Sequence, residues 1–248
     1  QKPPQFRANA IWDVGSNLYP LGSADHSVNS SLVLIPSYRM MPRWNLSVVI
    51  SGSKSLTGDR QFIFFDPSIV AASLPVLLNP YLSVRPAIGS ILPTSERSRR
   101  RESLITAIRP SLRLISNFAR LKKPVIQNLS LLYEVALVRS FHQFTTSTSG
   151  SVNSPWHITN WFNLNYSPND LWFVSADFIR NTEWSYQGGV RNTFSLGESV
   201  GYRATDHLTV SVGHTNQGDV LRVNGLASNI SFFDSTTSRV FMSVAVSF

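Results

Sequence analysis

Arginine carries the most specific binding chemistry in this sequence, and it occurs in two separate sets. The first set is spaced singly along segments of alternating polarity and consists of Arg39, Arg85, Arg109 and Arg113. The second is a dense run formed by Arg97, Arg99, Arg100 and Arg101. Because a guanidinium group presents its N–H donors in a planar fork, it suits carboxylate and phosphate groups. Both sets therefore predict contacts with anionic groups.

The overall charge balance is basic, which narrows the classes of partner. The chain has 22 Lys and Arg against 14 Asp and Glu, a formal net charge of +8. Such a balance fits nucleic acid, anionic lipid or an anionic solute. A nucleic-acid site would need a basic face interleaved with aromatic residues, whereas these basic residues are scattered. We therefore expect no nucleic-acid partner.

Catalytic and metal chemistry have weak support. The chain has no cysteine, which excludes disulfides, thiolate catalysis and zinc–cysteine sites. Hydrolysis through a Ser–His pair needs a base oriented by a third group. The candidate bases are His26, His142, His157 and His214. In the predicted register no carboxylate pair lies beside these histidines. We therefore predict no catalytic residue, metal site or cofactor. A lipid or peptide hydrolase remains an alternative.

The elements that would position these residues are β-strands. No run of eighteen apolar residues is present, which excludes an ordinary transmembrane helix. Alternating segments of about ten residues recur instead, separated by turn residues. We predict strands at 6–17, 29–40, 44–53, 61–72, 81–92, 103–117, 125–143, 156–166, 171–183, 191–202, 207–216 and 238–248.

The connections between these strands alternate in length. Short ones lie at 41–43, 119–124, 167–170 and 204–206, and longer polar ones at 18–28, 93–102, 145–155, 184–190 and 217–237. This alternation is typical of a membrane barrel with short turns on one rim and long loops on the other. The connection Ser73–Pro80 does not fit, because it is apolar where a short polar turn is expected.

The last strand resembles a known family. Val240, Met242, Val244 and Val246 share one face, and the chain ends on Phe248. This pattern resembles the closing strand of Gram-negative outer-membrane β-barrels, porin-like in size, with no subfamily identified. The resemblance implies that Phe248 is read by the barrel-assembly machinery. At a lipopolysaccharide surface, the guanidinium groups of the arginine run at 97–101 are suited to phosphate groups, and a solvated loop is the alternative.

The predicted fold is thus all-β: one transmembrane antiparallel up-and-down β-barrel of about twelve strands. It has short periplasmic turns and long extracellular loops, and it forms a single domain over residues 1–248, with 1–5 as a short periplasmic segment. Aromatic residues support both rims, because Trp and Tyr favour the headgroup layer. The periplasmic girdle would contain Trp44, Tyr81, Tyr166, Trp172, Tyr202 and Phe248, and the outer one Trp156, Trp184 and Tyr186.

Strand phase predicts which residues face the lumen, because an Arg or Lys facing lipid at the midplane costs about 2–4 kcal/mol. The lumen would then hold the four spaced arginines on strands two to six. Its acidic residues would be Asp66, Glu134, Asp177 and Glu183. We expect Glu134, Asp177 and Glu183 to oppose the arginines across the bore. Glu198 falls on the lipid phase, and a bulge near Gly197 or Gly201 would turn it inward.

These features predict a channel of the outer membrane that passes small hydrophilic solutes and prefers anions. Two alternatives remain: a barrel enzyme acting on lipid or peptide, and a closed structural or adhesive barrel acting through its loops.

Overall fold

The chain folds into one closed antiparallel β-sheet. The computed structural model describes residues 6–58, 60–116, 118, 126–222 and 227–248. Its strands are β1 Phe6–Asn17, β2 Val28–Met41, β3 Trp44–Ser55, β4 Phe62–Phe64, β5 Ser68–Ser73, β6 Val76–Asn79, β7 Leu82–Ile91, β8 Leu104–Ser116, β9 Leu129–His142, β10 Trp156–Tyr166, β11 Trp172–Trp184, β12 Val190–Arg203, β13 Leu208–Asp219 and β14 Arg239–Ser247. Short helical turns lie at Arg97–Arg101 and Ile126–Asn128. In these residues no helix has the length and apolar character needed to cross a membrane.

Three of the strand segments form a single interrupted strand of the wall. β4 and β5 both pair with β3, and β5 and β6 both pair with β7. The fourteen segments therefore make twelve wall strands, as the sequence predicts. This pairing also accounts for the apolar connection. Val76–Asn79 continues the strand beside β7, so the turn shrinks to Pro80 and Tyr81, and the side chains of Val76, Leu77 and Leu78 are exposed.

The two ends of the described wall close on each other. β1 pairs with β2 on one side and with β14 on the other. At the seam the Phe248 amide donates to the Ala8 carbonyl at 2.8 Å, and the Ala8 amide donates to the Phe248 carbonyl at 3.2 Å. Closure pairs every wall strand on both sides, which removes the exposed edges that an open sheet would present.

The predicted strand positions are confirmed, with β1 and β10 at the predicted bounds. The short turns after β2, β10 and β12 and the long connections after β1, β7, β9 and β13 follow the predicted alternation. The connection at 119–124 and the segment 1–5 lie outside the described residues.

The wall has an apolar outer face and a polar inner face, as strand alternation requires. Large side chains on the outer face are exposed, among them Trp12 and Leu34 near the seam and Val212 on β13. The other face of these strands, which lines the bore, carries polar residues such as Asp13, Ser31 and Asp177. In the described residues only small patches of apolar side chain are buried, chiefly alanines of β5, β8 and β9. An apolar exterior around a polar bore is the pattern of a barrel surrounded by lipid.

The expected inward turn of Glu198 is wrong. β12 pairs with β11 and β13 without any register shift from Thr193 to Tyr202. Glu198 therefore keeps the phase of Val200 and Tyr202 and faces outward. The side chain beside it explains how the wall accommodates it: His214, directly across on β13, lies on the same face and contacts the carboxylate.

Two glycines of the inner face lie under aromatic rings. A Cβ at Gly201 would come within 2.1 Å of the Phe173 ring, and one at Gly213 within 2.6 Å of the Phe241 ring. The site at Gly213 is also closed by backbone, since a Cβ there would lie 2.3 Å from the Glu198 carbonyl oxygen. Glycine thus lets the two phenylalanines lie flat against the wall.

Candidate functional site: the charged inner wall

The centre of the site is one carboxylate shared by two arginines. Arg113 lies directly across from Glu134 in the β8–β9 pairing. Its Nε and Nη2 atoms donate to Glu134 Oε2 at 2.8 and 2.5 Å, and Arg109 Nη2 donates to Oε1 at 3.0 Å. The Glu134 side chain is only 7% exposed, against 41% for Arg109 and 30% for Arg113. Both guanidinium groups therefore reach the bore while their shared partner stays buried.

Arg85 adds a third guanidinium to this cluster. It pairs in register with Arg113 on β8, and its Nε donates to the Ser73 carbonyl at 2.9 Å. Within the described residues no carboxylate lies within ion-pair distance of Arg85. We call Arg85, Arg109, Arg113 and Glu134 the charged arc. Three positive charges and one negative charge give it a net positive charge.

Arg39 lies on the inner phase of β2, where the sequence places it. The flanking residues Tyr38 and Met40 are exposed on the outer face. Its Nε is buried without a hydrogen-bond partner among the described residues. Arg39 belongs to the basic lumen residues but lies on a different part of the wall from the charged arc.

The neighbouring strands carry a hydrogen-bonded surface in which neutral groups surround one carboxylate. Trp161 Nε1 donates to Asp177 Oδ1 at 2.7 Å, and Asn163 Nδ2 donates to the same oxygen at 3.0 Å and to Ser175 Oγ at 2.9 Å. We call Trp161, Asn163, Ser175 and Asp177 the amide arc. The guanidinium of Arg113 lies 5.3 Å from the Trp161 ring centre, within cation–π range, so the ring joins the two arcs.

Trp161 belongs to the candidate site, although the sequence analysis does not predict it there. It shares the strand phase of His157, Thr159 and Asn163 on β10, and Asn163 contacts the inward carboxylate of Asp177. Strand alternation therefore indicates an inward position for Trp161. A tryptophan in a membrane strand is, however, usually assigned to an aromatic girdle at the membrane interface. Here its indole N–H has an inward carboxylate partner instead.

The structure does not show the expected opposition of basic and acidic residues across the bore. Glu134 is on the strand adjacent to Arg109 and Arg113 and pairs with them. Asp177 accepts hydrogen bonds from Trp161 and Asn163. Glu183 is the cross-strand neighbour of His157 on β10 and of Arg191 on β12. Cross-strand neighbours lie only about 5 Å apart, so charges on adjacent strands pair before they can act across the lumen.

Asp66 supports a loop at the outer rim. It lies in the break between β4 and β5, and its Oδ1 accepts from the backbone N–H of Thr94 at 2.8 Å and of Ser95 at 2.7 Å. Its other oxygen accepts from Ser98 Oγ. These bonds anchor the loop that carries the arginine run.

The mouth of the barrel is formed by loops that are bonded to one another. Asn153 is 6% exposed and donates to the carbonyls of Glu102 and Phe144 at 2.8 and 2.9 Å. Its own carbonyl accepts from the Tyr186 amide at 3.0 Å. A polar cavity of about 590 Å³ lies below these loops and is lined by Arg97, Arg101, His142, His157, Glu183 and Arg191, among others.

A Ser–His contact is present but lacks a catalytic arrangement. Ser16 Oγ lies 3.2 Å from His26 Nε2, and the same hydroxyl contacts the Asn17 carbonyl at 2.9 Å. Among the described residues no carboxylate orients the His26 ring, as a nucleophile–base pair requires. Nor do three or more His, Asp or Glu side chains of this part of the chain group as a metal site.

Comparison with known proteins identifies the fold. No family model matches the chain, and no curated protein matches it in sequence. The structure is similar to the KdgM porin in complex with disordered oligogalacturonate, at a TM-score of 0.55 and 13% identity over 98% of this chain and 99% of that chain. It is also similar to the NanC porin, at a TM-score of 0.55 and 11% identity over 97% and 98% of the two chains. The resemblance to outer-membrane porin barrels is confirmed at the level of the fold, and the apolar exterior of the wall agrees with that fold.

Proposed function

We propose that the chain is an outer-membrane channel for small hydrophilic solutes and that it prefers anions. The observation that carries this proposal is the net positive charge of the charged arc. Two of its guanidinium groups are partly exposed to the bore and one has no carboxylate partner in the described residues. A positive wall attracts anions and raises their local concentration in a narrow bore.

The structural relatives support the channel and are compatible with the anion preference. Two of them are porins, and one holds an oligogalacturonate, which is a polyanion. Because identity is 13% or lower, the solute of this chain has to be inferred from its own residues. Those residues offer guanidinium groups for acidic groups and the Trp161 ring for an apolar face of the solute.

The test of this function is conductance of the purified protein in planar bilayers. We expect a steady conductance and a reversal potential that indicates anion preference. The double variant Arg109→Glu/Arg113→Glu should shift the reversal potential toward cation preference. Absence of conductance at any voltage would contradict the channel and favour the closed-barrel or hydrolase alternatives.

We also propose two partners for the ends of the barrel. Arg97 and Arg100 have side chains 80% and 81% exposed at the outer rim. Together with Arg99 and Arg101 they offer donors to lipopolysaccharide phosphates, each through charge-assisted hydrogen bonds. Vesicles with and without lipopolysaccharide should bind the wild type differently, and replacing all four by Gln should remove that difference.

Phe248 is the proposed contact with the barrel-assembly machinery. Its side chain is 75% exposed while its backbone is bonded to β1. Phe248→Ala should therefore slow membrane insertion in cells without lowering the stability of barrels already folded. An unchanged insertion rate would contradict this role.

A further inference from the structure

Four aliphatic side chains of β1, β2 and β3 face the bore. Their phase follows from the residues between them, since Trp12, Leu32 and Leu34 are exposed on the outer face. The alternate positions carry Asp13 and Ser31, whose side chains are hydrogen-bonded on the inner face at 3.4 Å. The aliphatic residues share this inner phase, and we call them the aliphatic arc: Ile11, Val33, Ile35 and Val49.

The aliphatic arc is one continuous surface. Ile11 and Val33 are direct cross-strand partners in the β1–β2 pairing. The register of β2 and β3 places Ile35 beside Val49 on the same face. Cross-strand neighbours of this kind lie about 5 Å apart. Because each of the four side chains is partly exposed, the arc presents apolar surface to whatever passes through the bore.

The aliphatic arc lies across the bore from the ring of Trp161. The closed wall has twelve strands, and β10 is the sixth wall strand after β2 in the pairing order. Six strands are half of the circumference, so β2 and β10 lie on opposite sides of the barrel. Val33 and Trp161 both lie near the middle of their strands. At this level the bore is therefore bordered by apolar side chains on two opposite sides.

The polar groups next to the Trp161 ring are of two kinds. On one side the guanidinium of Arg113 adjoins the ring and offers donors to an acid group. On the other side the neutral groups are bonded to one another: the side-chain amide of Asn163 already donates twice within the amide arc, and Thr159 Oγ1 donates to Asn181 at 2.7 Å. The middle of the bore thus combines an anion-binding wall with apolar surfaces.

We propose that the channel selects, among anions, carboxylates that carry an apolar ring, with benzoate as the simplest case. The carboxylate binds the guanidinium groups of Arg109 and Arg113, and the ring lies between Trp161 and the aliphatic arc. Burial of apolar surface stabilises such a solute in this position. An acid of the same charge whose ring carries hydroxyl groups instead loses water from those groups against an apolar wall, which is unfavourable.

This inference rests on the proposed channel function and adds a class of solute to it. Block of the KCl current through the purified full chain in planar bilayers tests it. Benzoate and glucuronate are the two probes, because each has one carboxylate and one six-membered ring, and they differ in the hydroxyl groups on that ring. We expect the half-blocking concentration of benzoate to be about tenfold below that of glucuronate, the effect of burying one ring face.

Two double variants test the aliphatic arc. Val33→Thr/Val49→Thr keeps the branched shape of both side chains but adds a hydroxyl to each, and it should remove most of the preference for benzoate. The matched variant Val200→Thr/Val212→Thr makes the same change at a cross-strand pair on the outer face of β12 and β13, and it should keep the preference. Heat-dependent migration in gels checks that each variant is folded.

Two tryptophan variants test the opposite side of the bore. Trp161→Ala should weaken the block by benzoate more than the block by glucuronate, whereas Trp12→Ala, on the outer face of β1, should change neither. Equal half-blocking concentrations in a conducting wild type, no block by either anion, or a preference that survives Val33→Thr/Val49→Thr would overturn this inference and leave the channel function standing. A folded protein without any conductance would overturn both, so the two failures can be told apart.

Discussion

The charged arc and the amide arc lie side by side on the inner wall, yet they are held together by different forces. In the charged arc, guanidinium groups from β7 and β8 gather around one buried carboxylate on β9. In the amide arc, a carboxylate of similar type, Asp177, is satisfied by neutral donors from Trp161 and Asn163. The first arc therefore has a net positive charge facing the bore, and the second keeps one carboxylate that is bonded by neutral donors alone.

This difference shows that the number of charged residues in a lumen does not determine its field. Asp177 and Glu134 carry the same formal charge, but Glu134 is surrounded by arginines while Asp177 remains formally unneutralised beside neutral groups. What a solute meets depends on the pairing between adjacent strands. The variants below change one arc at a time and should separate electrostatic effects from steric ones.

The largest effect should come from Glu134→Gln in the charged arc. Without the carboxylate, Arg109 and Arg113 lose their shared partner and repel each other and Arg85. Breaking a buried pair costs about 3–5 kcal/mol, and because both arginines are partly exposed we expect about 2 kcal/mol here. Denaturant unfolding should show this loss, and the reversal potential should move further toward anions.

The control for that variant is Asp177→Asn in the amide arc, which removes the same formal charge. Its neutral donors can still bond an amide oxygen, so we expect a smaller loss of stability. A stability loss as large as that of Glu134→Gln would show that the two arcs are not held by different forces.

The next largest effect should come from the two glycines under aromatic rings. Gly201→Ala places a Cβ against the Phe173 ring, and overpacking of this kind costs about 1–3 kcal/mol. Adding Phe173→Ala should recover part of the overpacking loss at Gly201, because the clash is with a side chain. At Gly213 the nearest atom is a backbone oxygen, so Phe241→Ala should not rescue Gly213→Ala. Equal rescue at both sites, measured by thermal unfolding, would contradict this steric account.

The smallest effect is expected at the junction of the arcs, in Trp161→Phe. The ring still faces Arg113, but the N–H bond to Asp177 is lost, which costs about 1 kcal/mol. Selectivity should stay near the wild-type value, because no formal charge changes. Trp161→Ala should in addition raise single-channel conductance if the ring narrows the bore. A conductance below that of the wild type would contradict its position in the lumen.

Much of the fold could be predicted from the sequence because alternation is a local signal. The phase of each strand follows from the cost of a charge facing lipid, and this cost predicts an inner position for Arg85, Arg109 and Arg113. The partner of each arginine could not be predicted in this way. Lateral pairing depends on the register between strands, and the β8–β9 register includes a shift between Leu104 and Thr106 that brings Arg113 opposite Glu134.

Glu198, on the outer face, also has a cross-strand partner that could not be predicted from strand phase. The sequence identified it as an exception but not its partner, because His214 is sixteen residues away on the next strand. Trp161 is a different case. Its strand phase could be predicted from the sequence, but its residue type suggested an aromatic girdle at the membrane interface. The interrupted strand at Val76–Asn79 could not be recognised because its residues are apolar on both faces.

The central claim is that the charged arc, and not the net charge of the chain, sets ion selectivity. The most direct test is the reversal potential of Arg113→Gln and Arg180→Gln under one KCl gradient. Both variants remove one positive charge, but Arg180 lies on the outer phase of β11, opposite Asn160 and Phe194. We predict that Arg113→Gln shifts the reversal potential toward cation preference and that Arg180→Gln leaves it unchanged. Equal shifts in both variants, or no shift in Arg113→Gln, would contradict the account.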